Sequence, residues 1–334
     1  MASQKMKFDR RSLLKGLGIG AAYMAAGRKV FSPKSAYASA RSVAPKQYEN
    51  ELFQKQAGPA KVSVLKGNDR REMIRGVLEP IKDDIVKSIA NKKILLKPNF
   101  VVTNRPLCAT HIDETRAILD FLKDIGYDQQ VTIGESPSGG GAMRGFENYG
   151  YTELQKEYNV KLVDLDETPT VYRFIMGREN SIMPVRIISM FLDPDVYVIS
   201  AAKMKTHDRA LTTLSLKNVI MGAPAVIGRD SSKQKMHQTQ TRTPGSVLHF
   251  NMFQLATQGI YPDLGVVDGF EAMEGNKMML KDFDPMRIGY LQALGWAGMG
   301  QTDFSKITVL GESLDECQYD FAAHEFMAQV YQLS

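Results

Sequence analysis

Apolar residues recur along this chain in two alternating rhythms. From Asp69 to Ala90 the positions Met73, Val77, Ile81, Ile85 and Ile89 fall four apart, which predicts a helix. Lys93–Lys97 is a short apolar run stopped by Pro98, which predicts a strand. An amphipathic helix follows over Asp113–Ile125, with Ile118, Leu119, Leu122 and Ile125 on one face and Gly126 as its stop. Gln130–Gly134 predicts a strand, then come a glycine-rich loop, a helix over Ala142–Tyr158 and a strand over Val160–Leu165. Val185–Met190, Val196–Ala201, Leu264–Asp268 and Ile307–Gly311 predict further strands. Helices are expected over Val247–Gln258 and over Pro285–Ala297, the latter with Asp284 as its cap and Pro285 in its first position. Strand–helix alternation of this kind predicts an α/β fold, a mostly parallel sheet with helices on both faces, as one domain over residues 61–334.

The first forty residues read differently. Asp9-Arg10-Arg11-Ser12-Leu13-Leu14-Lys15 is a twin-arginine pattern, and the Gly/Ala-rich run from Gly16 to Gly27 is too short for a stable membrane span. Ala36-Tyr37-Ala38 and Ala38-Ser39-Ala40 are small-x-small cleavage sites, so cleavage is expected after Ala38 or Ala40. The expected destination is periplasmic or extracytoplasmic, with the twin-arginine translocase as a partner and no membrane span left after cleavage. Residues 41–60, polar and carrying Pro45 and Pro59, read as a linker or arm.

Export changes the meaning of the charge. The whole chain has 42 basic and 37 acidic residues. Eight of the bases and one acid lie in residues 1–40, which leaves the mature chain at 34 against 36, slightly acidic. The basic balance belongs to the signal and gives no support to nucleic-acid binding. The twin-arginine route carries folded proteins, which raises the expectation of a cofactor. Cys108 and Cys317 are the two cysteines, too few for an iron–sulfur cluster with four thiolates.

The chemistry collects at the predicted strand ends. Lys97 and Asn99 follow the first strand, with Thr110 and His111 in the loop behind it. Glu135 and Ser136 follow the second, ahead of Ser138-Gly139-Gly140-Gly141, which suits either an anion cradle or a flexible turn. That loop lacks both the dinucleotide fingerprint and the Gly-Lys-Ser/Thr of a phosphate loop. Lys203, Lys205, Thr206 and His207 follow the strand over Val196–Ala201, with Lys217 and Asn218 beyond in what reads as its loop, and Asp268 ends a later strand. In a parallel sheet these ends converge on one crevice, where ligands bind. Lys97, Asn99, Ser136, Lys203, Lys205, Thr206, Lys217, Asn218 and His237 are the expected binding residues for a small anionic or polar ligand. His207 and His111 are the candidates to move a proton, and Glu135 and Asp268 are candidate ligands for a divalent metal or orienters of the histidines. Gly-x-Ser-x-Gly and His-Glu-x-x-His are absent, against serine-hydrolase and zincin chemistry.

Seven ordered motifs, Lys97-Pro98-Asn99, Ala109-Thr110-His111, Gly134-Glu135-Ser136, Lys203-x-Lys205-Thr206-His207, Leu216-Lys217-Asn218, Lys235-Met236-His237 and the run Asp268–Asn276, resemble domain-of-unknown-function family 362. The resemblance implies that these polar segments line one site, and that a redox protein is a candidate partner. It implies no settled reaction. After Asn276 the pattern breaks: Lys277–Lys281 runs directly into Asp282-Phe283-Asp284-Pro285, as if a piece were deleted near 276–282. Two functions follow. One is an exported enzyme acting on a small anionic or polar substrate, and the alternative is a periplasmic binding or accessory protein for an anion, a metal or an oxidoreductase. A nucleotide-dependent ligase or kinase suits the lysines but not export.

Overall fold

A computed structural model describes residues 59–177, 181–207, 210–237, 246–273 and 306–312. The expected signal, most of the expected linker, the helix expected over Pro285–Ala297, the irregular segment after Asn276 and Cys317 lie outside the described residues.

The chain opens with β1 (Ala60–Val64), then α1 (Arg70–Leu78) and α2 (Lys82–Ile89). The single helix expected here is broken by a 3₁₀ turn over Glu79–Ile81. Pro80 lacks an N–H and crowds the preceding turn, so an uninterrupted helix cannot pass through it. Next come β2 (Lys93–Lys97), α3 (Ile112–Asp124), β3 (Val131–Glu135), α4 (Ala142–Asn148) and β4 (Val160–Asp164). The helix expected to run to Tyr158 stops at Asn148, and Gly150 takes a left-handed φ of 78° just beyond. A hairpin of β5 (Thr170–Met176) and β6 (Ile182–Ile188) follows, its first strand unforeseen. Then come β7 (Val196–His207), β8 (Leu211–Thr213), α5 (Ser215–Gly222), β9 (Val226–Ile227), β10 (Asp230–Ser231), α6 (Ser232–His237), α7 (Ser246–Thr257), β11 (Leu264–Met273) and β12 (Ile307–Gly311).

The main sheet runs β11-β7-β2-β3-β4 with all five strands parallel, and β8 pairs antiparallel with the far end of β7. The expected α/β class with a mostly parallel sheet is therefore present. The chain fills the sheet outward from β2 to β4, then returns to the other side of β2 with β7. That reversal makes the boundary between β2 and β7 the topological switch point. β12 is not part of this sheet; it pairs in parallel with β1.

Both faces of the sheet are covered. On one, Ile94 and Leu96 of β2 and Tyr197, Ile199 and Ala201 of β7 pack with Ile74, Leu78, Ile85, Ile118 and Leu122 of α1–α3. On the other, Leu95 and Val198 pack with Val219 and Ile220 of α5, Leu255 of α7 and Val185 and Ile187 of β6. Alternate side chains of a strand go to opposite faces, which explains why β2 and β7 read as unbroken apolar runs. Each such residue contributes about 1.5–3 kcal/mol when fully buried. No helix among the described residues is long and apolar enough to cross a membrane.

β7 has 12 residues, but β2 beside it ends at Lys97, opposite Ser200. Lys203, Lys205 and His207 thus ride on a strand extension that overshoots β2 and pairs with β11 and β8, where a loop was expected. Lys217 and Asn218 lie on α5 and His237 ends α6, again in place of loops.

Candidate functional site

Three polar clusters occupy the carboxyl ends of the parallel strands. The first sits at the switch point. Lys97 is buried, and its Nζ donates to Glu135 Oε2 at 2.8 Å and Oε1 at 3.0 Å, to Pro98 O at 3.0 Å and to Asn218 Oδ1 at 3.0 Å. Glu135 Oε1 also accepts the Ser136 N–H at 3.1 Å. Burying such a pair costs several kcal/mol per ion, and only a full set of hydrogen bonds offsets it. The lysine stem lies over the end of α5, where Gly222 leaves the room: a Cβ there would collide with Lys97 Cε. Glu135 therefore orients a lysine, not a histidine, and both its oxygens are engaged.

Asn218 turns this ion pair into an ordered chain. Its Nδ2 donates to Lys97 O at 3.2 Å and Ser200 Oγ at 3.0 Å, so its Oδ1 faces Lys97 and also accepts Asn99 Nδ2 at 2.8 Å. Asn99 Oδ1 is left to accept from Lys205 Nζ, which also donates to Cys108 O at 2.6 Å. Thr110 braces the turn: its hydroxyl accepts the Asn99 N–H at 2.8 Å and donates to Ala201 O at 2.7 Å. Lys205 is 3% exposed, and among the described residues no carboxylate hydrogen-bonds to it. Burial lowers its pKa to about 7; the Cys108 thiol and Glu135 oppose the shift, while Lys217 and Lys97 add to it.

The second cluster lies along β7 and β11. Asp268 Oδ2 accepts Arg70 Nε at 3.0 Å and faces Lys203 Nζ at 3.8 Å, and its Oδ1 accepts the Phe270 N–H at 2.9 Å. Arg70 also reaches Glu271 at 3.4 Å and stacks on the Phe270 ring. Glu114 on α3 is fully buried, and no hydrogen bond of ordinary geometry reaches either oxygen, although the Ala202 backbone favours its ionised form. Burial, then the charge of Asp268, hold this carboxyl well above the usual glutamate range against Lys203 and Arg70. Burial thus favours its protonated, neutral form. His111 caps α3, its Nδ1 accepting the Asp113 N–H at 3.2 Å. Burial and then Arg70 push its pKa down, against Asp113 and Asp268. Neutral His111 thus carries its proton on Nε2.

The third cluster surrounds Ser136, whose hydroxyl donates to Asp166 Oδ1 at 2.6 Å and accepts from Lys233 Nζ at 2.7 Å. Lys233 also donates to Gly222 O at 3.0 Å and Pro224 O at 2.8 Å, and burial lowers its pKa to about 8 against the pull of Asp166. The glycine loop is not an anion cradle. Asp164 Oδ2 already accepts the Ala142 N–H at 3.2 Å, and the adjoining cleft of about 410 Å³ is lined by Asp164, Asp166 and Glu167 beside Gly139–Gly141. Beyond β7, His207 and His237 stack with ring centroids 6.0 Å apart. His207 Nδ1 accepts the Ala210 N–H at 3.1 Å, whereas His237 Nδ1 lies 2.8 Å from Lys233 O and donates to it.

The structure brings Lys97, Asn99, Glu135, Lys205 and Asn218 into one network, with Lys217 close enough to shift Lys205 electrostatically. Lys203 and Asp268 pair elsewhere, and Ser136 belongs to the Lys233 cluster. The backbone of Thr206 pairs with Thr212. Glu135 and Asp268 thus serve different cations, and among the described residues no three His, Cys, Asp or Glu side chains group as a metal-ligand set. Arg70, Glu114 and Lys233 were missed from sequence. Arg70 lies 198 residues from its partner Asp268, and Glu114 reads as an ordinary first-turn acid of an amphipathic helix.

Two variants test these energetics. Lys97→Met strands Glu135 as a buried charge, and urea unfolding should show a loss of about 3–5 kcal/mol, most of it recovered by Lys97→Met with Glu135→Leu. Native Glu114 keeps a proton that the unfolded chain releases near the ordinary glutamate pKa. Stability should therefore fall as pH rises above that value, by up to about 1.4 kcal/mol per unit from this group. Glu114→Gln should remove that part of the slope in a stability–pH series.

Comparison with known proteins follows the same residues. Thylakoid-associated protein sll1697 of Synechocystis sp. is 28% identical over 228 residues, 66% of this chain; the chain spans 64% of that relative's length. A crystal structure of a Thermotoga maritima protein aligns over 75% of this chain and 54% of its own, with 13% identity and a TM-score of 0.36. The family model described as domain of unknown function DUF362 matches residues 94–293, a span that includes β2, α5, β7 and β11 and so every element that builds the switch-point network. On that match, the chain belongs to the DUF362 family.

Proposed function

We propose that this protein is an exported enzyme that takes a small anionic or polar substrate at the switch point, where Lys205 meets Asn99. One observation carries the reading. Lys97, Lys203, Lys205 and Arg70 crowd the strand ends with little exposure, and among the described residues two buried carboxylates, Glu135 and Asp268, pair with them, while burial pushes the Glu114 carboxyl toward its neutral form. Buried charge needs a counter-charge. Burial lets Lys205 relieve the surplus by lowering its pKa to about 7. A bound anion would let it keep its proton, so binding and proton uptake are coupled. His207 lies two residues along the same strand, and His111 lies at the rim near Arg70 and Asp268; these are the groups placed to move a proton.

A binding or accessory role without turnover is favoured by a different observation. Lys97, Glu135, Asn218 and Lys233 are fully engaged by the protein itself, which is the habit of a frame more than of reacting groups. A redox protein would be the partner in that reading. Export rests on Arg10-Arg11 and the cleavage sites at Ala38 and Ala40, and the location proposed is periplasmic or extracytoplasmic. The relative from Synechocystis is named for association with thylakoids. A divalent metal stays a proposal of the sequence alone.

Thermal unfolding with phosphate, acetate or pyruvate tests the site. At least one should raise Tm by several degrees, as saturating ligand stabilises by about 2–4 kcal/mol. The shift should be larger at pH 6 than at pH 9, and lost in Lys205→Met. No shift with any small anion at either pH would contradict anion binding. For export, Arg10→Lys with Arg11→Lys should retain uncleaved chain in the cytoplasm, seen by fractionation and N-terminal sequencing of the wild type at Ser39 or Arg41.

A further inference from the structure

Counting hydrogens separates the buried lysines. Lys233 has three oxygens around Nζ, Ser136 Oγ, Gly222 O and Pro224 O, which match the three N–H groups of an ammonium. Lys97 has four acceptor atoms, two of them on a carboxylate. Among the described residues Lys205 has two, Asn99 Oδ1 and Cys108 O. Two acceptors suit the two N–H groups of a neutral amine and leave its lone pair directed away from both. The acceptor on Asn99 is fixed from behind, because Asn218 Oδ1 takes the Asn99 amide donor and is itself held toward Lys97. The Lys97–Glu135 ion pair therefore sets, through two amides, which way the Lys205 nitrogen points.

We propose that Lys205 is a nucleophilic amine that forms an imine with a small oxo acid, a carboxylate carrying an adjacent aldehyde or ketone. This deepens the anion-site reading and rests on it. The nitrogen lone pair bonds to the carbonyl carbon, and the carbonyl oxygen leaves as water with the two amine hydrogens. The imine nitrogen then takes one proton from solvent, and that N–H keeps one of the two hydrogen bonds. Amine and oxo acid are consumed and imine and water formed, with no oxidant or reductant. The surroundings of the amine supply a further condition. The charges acting on Lys205 from the surrounding elements are cationic Lys217 on α5 and Lys97 on β2, against Glu135 on β3 and the Cys108 thiol. The carboxylate of the oxo acid answers the positive iminium that the reaction creates.

Glyoxylate with sodium cyanoborohydride tests this on the full chain at pH 7, with peptide mass spectrometry locating carboxymethyl-lysine. Lys205 should be labelled at least about tenfold faster than an exposed lysine such as Lys66, since a pKa near 7 frees far more amine than the usual value. The labelling rate of the wild type should rise with pH and level off above about 7. Labelling of surface lysines with Lys205 untouched would overturn the proposal. If glyoxylate then still raises Tm, the anion site stands without imine chemistry; if it does not and no other anion does, both fall. Labelling of Lys205 that keeps rising to pH 10 like that of Lys66 would also overturn it, since the amine would then be an ordinary ammonium.

Discussion

Positive charge buried at the ends of parallel strands must be answered, and most of this site follows from how that is done. β2 delivers Lys97 to the switch point, β3 delivers Glu135, and α5 closes over both with Asn218. Removing the charge of either partner leaves the other stranded in a low-dielectric interior. That single pair then orients Asn218, Asn218 orients Asn99, and Asn99 holds Lys205. Geometry at the reactive end is thus set three residues away, in the most rigid part of the sheet.

The same charge balance explains the unusual groups. Glu114 would neutralise Lys203 or Arg70 if ionised, yet burial pushes it toward its protonated form. Asp268 serves both cations, with Glu271 a second, exposed partner of Arg70. Lys205, without a carboxylate, yields its proton. Two neutralised groups, one acid and one base, flank the same strand extension. Separated environments of this kind prepare acid and base forms at neutral pH.

Much of the fold was legible because parallel strands buried on both faces leave unbroken apolar runs, as in β2 and β7. The convergence of Lys97, Asn99, Glu135, Lys205 and Asn218 was legible for the same reason: each follows or extends such a run, or lies on the helix behind it. Other features were not. The 3₁₀ break at Pro80 and the stop before Gly150 are local backbone effects that override the apolar spacing. The β5 strand is mostly part-exposed, and Arg173 interrupts its apolar residues, so it carries no strong run. The glycine loop suggested an anion cradle, but a carboxylate from the next strand, Asp164, takes that position. Long-range partners such as Arg70 and Asp268 leave no trace in local pattern, and whether a buried lysine is charged depends on acceptors contributed by four separate segments.

The protonation state of Lys205 decides the matter most directly. Nitrogen-15 NMR of the Nζ in protein labelled at lysine distinguishes amine from ammonium by chemical shift. A resonance assigned through Lys205→Met that changes from ammonium to amine near pH 7 is the expected result. An ammonium that persists to pH 10 would mean the site holds its positive charge without relief, and would contradict both the proton-coupled anion site and the nucleophilic amine.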